Sequence, residues 1–154
     1  MGAISGRRPN ARSKDRGAVL LEMAMTLPLL LLVAVGIFEF GRAYETWQVL
    51  TNAAREGARM AVLPNAVTDD IEARVTDYLQ AGQVPNPGTA TVSVTAATIN
   101  AGATPVSTSV VTVSYPFNFV FLNPIARLVL RTSSLGAAPL TITSTAEMRN
   151  ESPF

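Results

Sequence analysis

Twenty-one consecutive residues, Ala18 to Phe38, carry one charge among them. As a helix rising about 1.5 Å per residue they reach about 31 Å, the thickness of a bilayer's hydrocarbon core. No other stretch of the chain is long and apolar enough to do the same, so the sequence predicts a single-pass membrane protein. The one charge is Glu22. A carboxylate within a membrane segment is expensive, about 2.5 to 3.5 kcal/mol on insertion scales at the helix centre, and such residues mark functional positions by default. A plainer reading stays open beside it. Glu22 is only about 6 Å of helical rise from Ala18, so it can also sit among the headgroups with no partner.

Charge on either side of the span predicts its direction. Residues 1–17 hold Arg7, Arg8, Arg12, Lys14 and Arg16 against Asp15, a net +4. The bias of basic segments toward the cytoplasm keeps this arm inside and sends the rest of the chain across the cytoplasmic (inner) membrane. The other 137 residues carry seven basic and ten acidic groups. The molecule is therefore polarised rather than basic, and nothing in it calls for a nucleic-acid partner. The chain contains neither cysteine nor histidine. That removes disulfides, the thiol nucleophile, the commonest general base and the commonest metal ligands. The expectation is a protein with no catalytic residue, no metal and no cofactor.

Four regions follow from pattern. Residues 1–17 are polar, lack apolar periodicity, and read as a disordered leader. Residues 18–38 are the transmembrane helix, with Pro28 as a candidate bend that frees a carbonyl. Residues 39–63 continue the same helix outside. Ala43, Trp47, Leu50, Ala54, Gly57 and Ala61 recur there at alternating spacings of four and three, a mostly small-residue stripe. Arg42, Glu45, Arg55, Glu56 and Arg59 fall mostly off it. Within the stripe, Ala53, Gly57 and Ala61 permit close helix approach, either to another subunit or to the chain's own sheet. Tyr44 and Trp47, just past the span, suit an interfacial anchor.

Residues 64–154 form the fourth region. Thr68 is a candidate N-cap, with Asp69, Asp70 and Glu72 in the first turn. Ile71, Val75, Tyr78 and Leu79 give a short helix an apolar face, ending at Gly82 ahead of Pro85 and Pro87. From residue 89 the period becomes two. Ala90, Val92, Val94 and Ala96 share one face of a strand, and Val111, Val113, Tyr115, Phe117 and Phe119 share one face of the next. NAGATP at 100–105 is loop chemistry between them, predicting an antiparallel hairpin. Pro116 cannot donate to a ladder, which argues for an edge strand or a bulge. A third run places Leu140, Ile142, Ala146 and Met148 together, while NPIARLVL at 123–130 reads equally as a helical turn or a broad loop. The fold class is α+β: a long N-terminal helix, its first half in lipid, packed on a small antiparallel sheet.

Gly17 followed by Ala18-Val19-Leu20-Leu21-Glu22 resembles the class III signal of type IV prepilins. The resemblance widens with LPLLLLVAVGIFEFGRA and LTNAAREGARMAV. Glu39-Phe40-Gly41-Arg42 and Ala53-Ala54-Arg55-Glu56-Gly57-Ala58-Arg59 look like the TadE-like family, pseudopilins of tight-adherence (Flp) pilus systems. It covers residues 16–63. Met23 departs from it, since small Flp pilins commonly carry tyrosine there, which argues against the major filament subunit. The resemblance implies a pilin-like fold and cleavage by a prepilin peptidase between Gly17 and Ala18. It also implies partners in other pilin subunits and an inner-membrane assembly platform, and a protein that resides in the membrane or enters a surface pilus. Cleavage there creates an ammonium at Ala18, which a neighbouring helix slid by one turn can set against Glu22, a register device for assembly. The alternative is a binding module whose apolar run is an ordinary signal peptide, cut after Gly36, or a plain anchor.

Overall fold

In the computed structural model, the described residues are 11–101, 104–121, 124 and 139–150. They divide into two compact units, Met1–Phe38 and Glu39–Phe154. Helix α1 runs Ala11–Ala61, so helix begins well inside the expected leader, and Pro28 lies within it. The ARSKDR run lacks proline and glycine and is mostly good helix formers, so nothing stops the helix from extending back past Gly17. Residues 1–10, and 123–130 apart from Pro124, lie outside the described residues, with the readings made for them.

In the first unit every residue from Arg16 to Ala34 is exposed. Arg16–Ala61 is a helix long and apolar enough to cross a membrane. Thr26 Oγ1 donates back to the Glu22 carbonyl at 2.8 Å, satisfying its hydroxyl within the apolar helix.

The second unit is a three-stranded antiparallel sheet with helices packed on one face. Its strands are β1 (Thr91–Ala101), β2 (Thr104–Phe117) and β3 (Leu140–Arg149), in the order β1-β2-β3. β2 is thus central, which corrects the edge placement drawn from Pro116. The ladder explains how the proline is tolerated. Ser107 accepts from Asn150 N–H on the β3 side, so alternate residues, Pro116 among them, turn their backbone toward β1. β1 has already ended there, since its Thr91 pairs with Ser114. Pro116 therefore needs no bulge and sits at a local edge of a central strand. Pairing of β1 with β2 continues to Ala101 opposite Thr104, so most of the hexapeptide expected as loop is strand.

β2 supplies the core in strict alternation: Val111, Val113, Tyr115 and Phe117 are buried, and Phe119 packs against them. Ala90 just before β1, Val92 and Val94 of β1, and Ile142, Ala146 and Met148 of β3 join them. Ala96 and Leu140, expected on the core face, are exposed. On the other face the hydroxyls pair across strands, Thr112 with Thr145 and Ser114 with Thr143, each at 3.1 Å.

From α1 the core takes Leu50, Ala53, Ala54 and Ala58, and from the second helix, α2 (Thr68–Ala81), it takes Ile71, Val75 and Leu79. Trp47, expected in the stripe, is exposed, and Thr46 is buried in its place. Tyr78 is also exposed, leaving α2 with a three-residue apolar face. Thr68 is not the cap: the Val67 carbonyl starts the ladder by accepting from Ile71 N–H. At the other end, Val84 N–H bonds to the Leu79 carbonyl and Gln83 N–H to that of Gln80, while buried Val84 and Leu79 share the core, a Schellman stop. The left-handed residue in it is Gln83 (φ 56°), not Gly82. Gly82 serves packing instead, since a Cβ there would lie 2.4 Å from Val49 Cγ1.

Gly57 does the same at the centre. A Cβ on it would stand 2.8 Å from Val75 Cγ2 and 3.2 Å from Val111 Cγ1, so its absence lets α1 approach α2 and β2 together. Gly57→Ala is expected to destabilise this unit by about 1–3 kcal/mol through overpacking. Gly41→Ala, whose Cβ meets nothing within 4 Å, should be neutral or slightly stabilising. Urea unfolding followed by circular dichroism in micelles distinguishes the two.

Candidate functional site

Two places carry candidate functional chemistry, one in each unit. In the first, Gly17, Ala18 and Glu22 lie on consecutive turns of α1, all exposed. A Cβ on Gly17 would meet nothing within 4 Å, as is also true at Gly36 and Gly41. Packing within this chain therefore does not call for glycine at position 17. The Glu22 carboxylate has no hydrogen bond or ion pair among the described residues. A lone carboxylate on an apolar exposed helix is an unanswered charge, and in lipid the favourable answer is a cation held close.

The second place was not singled out by sequence reasoning beyond its family motif. Glu39 is wholly buried. Its Oε2 accepts from Arg42 Nη1 at 3.0 Å, one turn along, and its Oε1 accepts the backbone N–H of Phe121, just past β2. The Arg42 guanidinium lies over the Phe117 ring, 5.4 Å from its centroid. Phe117 meets Phe119 edge to face at 5.2 Å, and Phe119 meets Phe40 at 6.2 Å. Carboxylate, guanidinium and rings thus fasten the start of the second unit's helix to the end of its central strand. The available signal was a carboxylate at the close of the apolar run with an arginine three residues on, a spacing that places both on one helix face. Nearby, burial pushes the Tyr115 hydroxyl above its ordinary pKa against the opposing pull of Arg42. That hydroxyl donates to the Pro85 carbonyl, so its neutral form is the one in use.

Ala53 and Gly57 are buried inside this chain and Ala61 is half-buried, with Ser109 Oγ donating to the Ala61 carbonyl at 3.4 Å. The small-residue stripe is thereby occupied by the chain's own α2 and sheet. Of the charges beside it, Glu56 is held by Arg74 at 2.9 Å, while Arg55 and Arg59 are exposed. Tyr44 and Trp47 are exposed, their ring centroids 5.8 Å apart.

Comparison with curated proteins and with solved structures finds no match for this chain. The segment bearing Gly17, Glu22 and the Glu39–Arg42 pair matches the family model described as TadE-like protein, over residues 17–59.

Proposed function

We propose that this protein is a pseudopilin or minor pilin of a tight-adherence, type IV-like pilus. It is processed by a prepilin peptidase and acts by assembly, without catalysis. The observation that carries the reading is Glu22, a carboxylate without an answering group among the described residues, on an exposed apolar helix within the matched segment. Cleavage between Gly17 and Ala18 supplies the missing group on another copy, the new α-ammonium of Ala18. Two opposite charges brought together in low dielectric stabilise each other only at close range, so the pair selects one helix register over others.

Gly17 suits the cleavage for a conformational reason. The bond to be cut lies within helix, and glycine weakens a helix interior by about 0.5–1 kcal/mol relative to alanine, easing local opening at the peptidase. It also presents no side chain to an approaching enzyme. The C-terminal unit is placed outside the membrane by the basic arm, with the arm cytoplasmic.

N-terminal sequencing of the protein from the membrane fraction of cells containing the peptidase tests this. The mature chain should begin at Ala18. A chain beginning at Ile37, the product of ordinary secretion, or at Met1, an untrimmed anchor, would overturn the proposal. Gly17→Leu should leave most of the protein with its leader attached, visible as the full-length intact mass.

A further inference from the structure

Apart from Tyr78 on α2, the exposed aromatic side chains described in the second unit are gathered at one end. On α1, Phe40, Tyr44 and Trp47 are 66%, 59% and 45% exposed, at spacings of four and three that put them on one stripe. Past Trp47 the exposed positions of the helix are polar: Gln48, Asn52, Arg55 and Arg59. Beyond β2, Val120 and Phe121 are 52% and 48% exposed. The Glu39 carboxylate holds the Phe121 N–H, and Phe119 packs on Phe40, so these residues sit beside the first turn of the unit's helix.

We infer that Phe40, Val120 and Phe121 form a lipid-seated rim by which the Glu39–Phe154 unit rests in the headgroup layer of a bilayer, an inference that rests on the membrane-spanning reading above. Three observations favour lipid over a protein occupant. The rim is continuous with the apolar helix, for Phe40 follows Phe38 by two residues. The aromatic stripe covers only about 10 Å of rise from Phe40 to Trp47, the depth over which interfacial residues sit, and then turns polar. Aromatic side chains with a polar edge, such as Tyr44 and Trp47, are those favoured at that depth.

Backbone chemistry fits as well. A chain segment entering the interface loses water as a partner for its amides. At Phe121 the amide is already bonded to a carboxylate, and the carboxylate's charge is answered by Arg42. The Glu39 cluster therefore prepares the rim for a poorly hydrated setting.

The chain has no cysteine, so a single introduced thiol labels one position. Val120→Cys, Leu30→Cys and Asp77→Cys, the last on the exposed face of α2, are each labelled with an environment-sensitive nitrobenzoxadiazole dye. The full chains are then reconstituted in phosphatidylcholine vesicles without spin label, with lipid spin-labelled near the headgroup for the labels at 120 and 77, or with lipid spin-labelled deep in the acyl chain for the label at 30. The label at 120 is expected to lose about half its emission to the spin label, and the label at 77 almost none. Quenching at 30 without quenching at 120 overturns the rim and leaves the span standing. No quenching at either overturns both. A label at 120 shielded from aqueous iodide yet unquenched by the lipid also overturns the proposal, since a second protein copy then covers the rim.

Discussion

Glu22→Ala is expected to leave the mature N-terminus at Ala18 while abolishing incorporation into, or initiation of, a pilus. The substitution removes a charge that touches nothing in its own chain among the described residues, so neither helix formation nor the C-terminal unit has reason to change. What it removes, on the proposed pairing, is the partner of a neighbouring ammonium. A charge pair 4 Å apart is worth about 4 kcal/mol at an effective dielectric near 20 and more in a drier setting. An unpaired ammonium in lipid is correspondingly unfavourable, which makes the misregistered assembly the losing state. Glu22→Gln keeps the size and a hydrogen-bond acceptor but not the charge, and should also fail. Intact mass of the membrane-bound protein reports trimming, and electron microscopy or sheared-fibre immunoblots report assembly. Normal piliation with either variant would dismiss the pairing.

The second large effect is expected at Glu39. Glu39→Ala strands the Arg42 guanidinium and removes the acceptor of the Phe121 amide, and breaking a buried pair by deleting one partner generally destabilises by about 3–5 kcal/mol. Glu39→Gln retains an acceptor for the amide and should be milder, about 1–3 kcal/mol. Removing both charges in Glu39→Ala with Arg42→Ala should be less damaging than the sum of the single changes, because no group is then left charged without a partner. Chemical unfolding by circular dichroism gives the energies. Amide exchange at Phe121 gives the local signature: protected in the natural chain, fast in Glu39→Ala. Equal exchange in the two would show that the carboxylate does not hold this amide.

Much of this architecture was legible because burial on one face imposes a period. The alternation of Val111, Val113, Tyr115, Phe117 and Phe119 announces a strand with one covered side, and that side is the covered one. The small antiparallel sheet was readable for the same reason, and the long apolar helix from its unbroken run of apolar residues. Where reading residue by residue fell short, the deciding partner lay elsewhere in the chain. Pro116 excludes hydrogen bonding only on its β1 side, and nothing local reveals that β1 stops at Thr91. Gly82 looks like a left-handed stop, yet Gln83 takes that conformation, and glycine at 82 is required instead because Val49 leaves no room for a side chain there. Trp47 fits the helical stripe by count, but the face turned to the sheet runs through Thr46, Leu50 and Ala53. Glu39 escaped notice because a carboxylate at the end of an apolar run looks like a return to water, when it is buried against Arg42 and Phe121.

The inward turn of Ala53 and Gly57 has a consequence for how copies meet beyond the bilayer. With that smooth seam sealed by its own α2 and sheet, the outer part of α1 offers a neighbour Glu45, Asn52, Arg55 and Arg59. Contacts between such groups are screened within about 8–10 Å at ordinary ionic strength. In an assembly of the proposed kind, raising salt should therefore loosen lateral association of the outer units while cohesion among the apolar segments persists, so that added sodium chloride separates the two layers by their sensitivity.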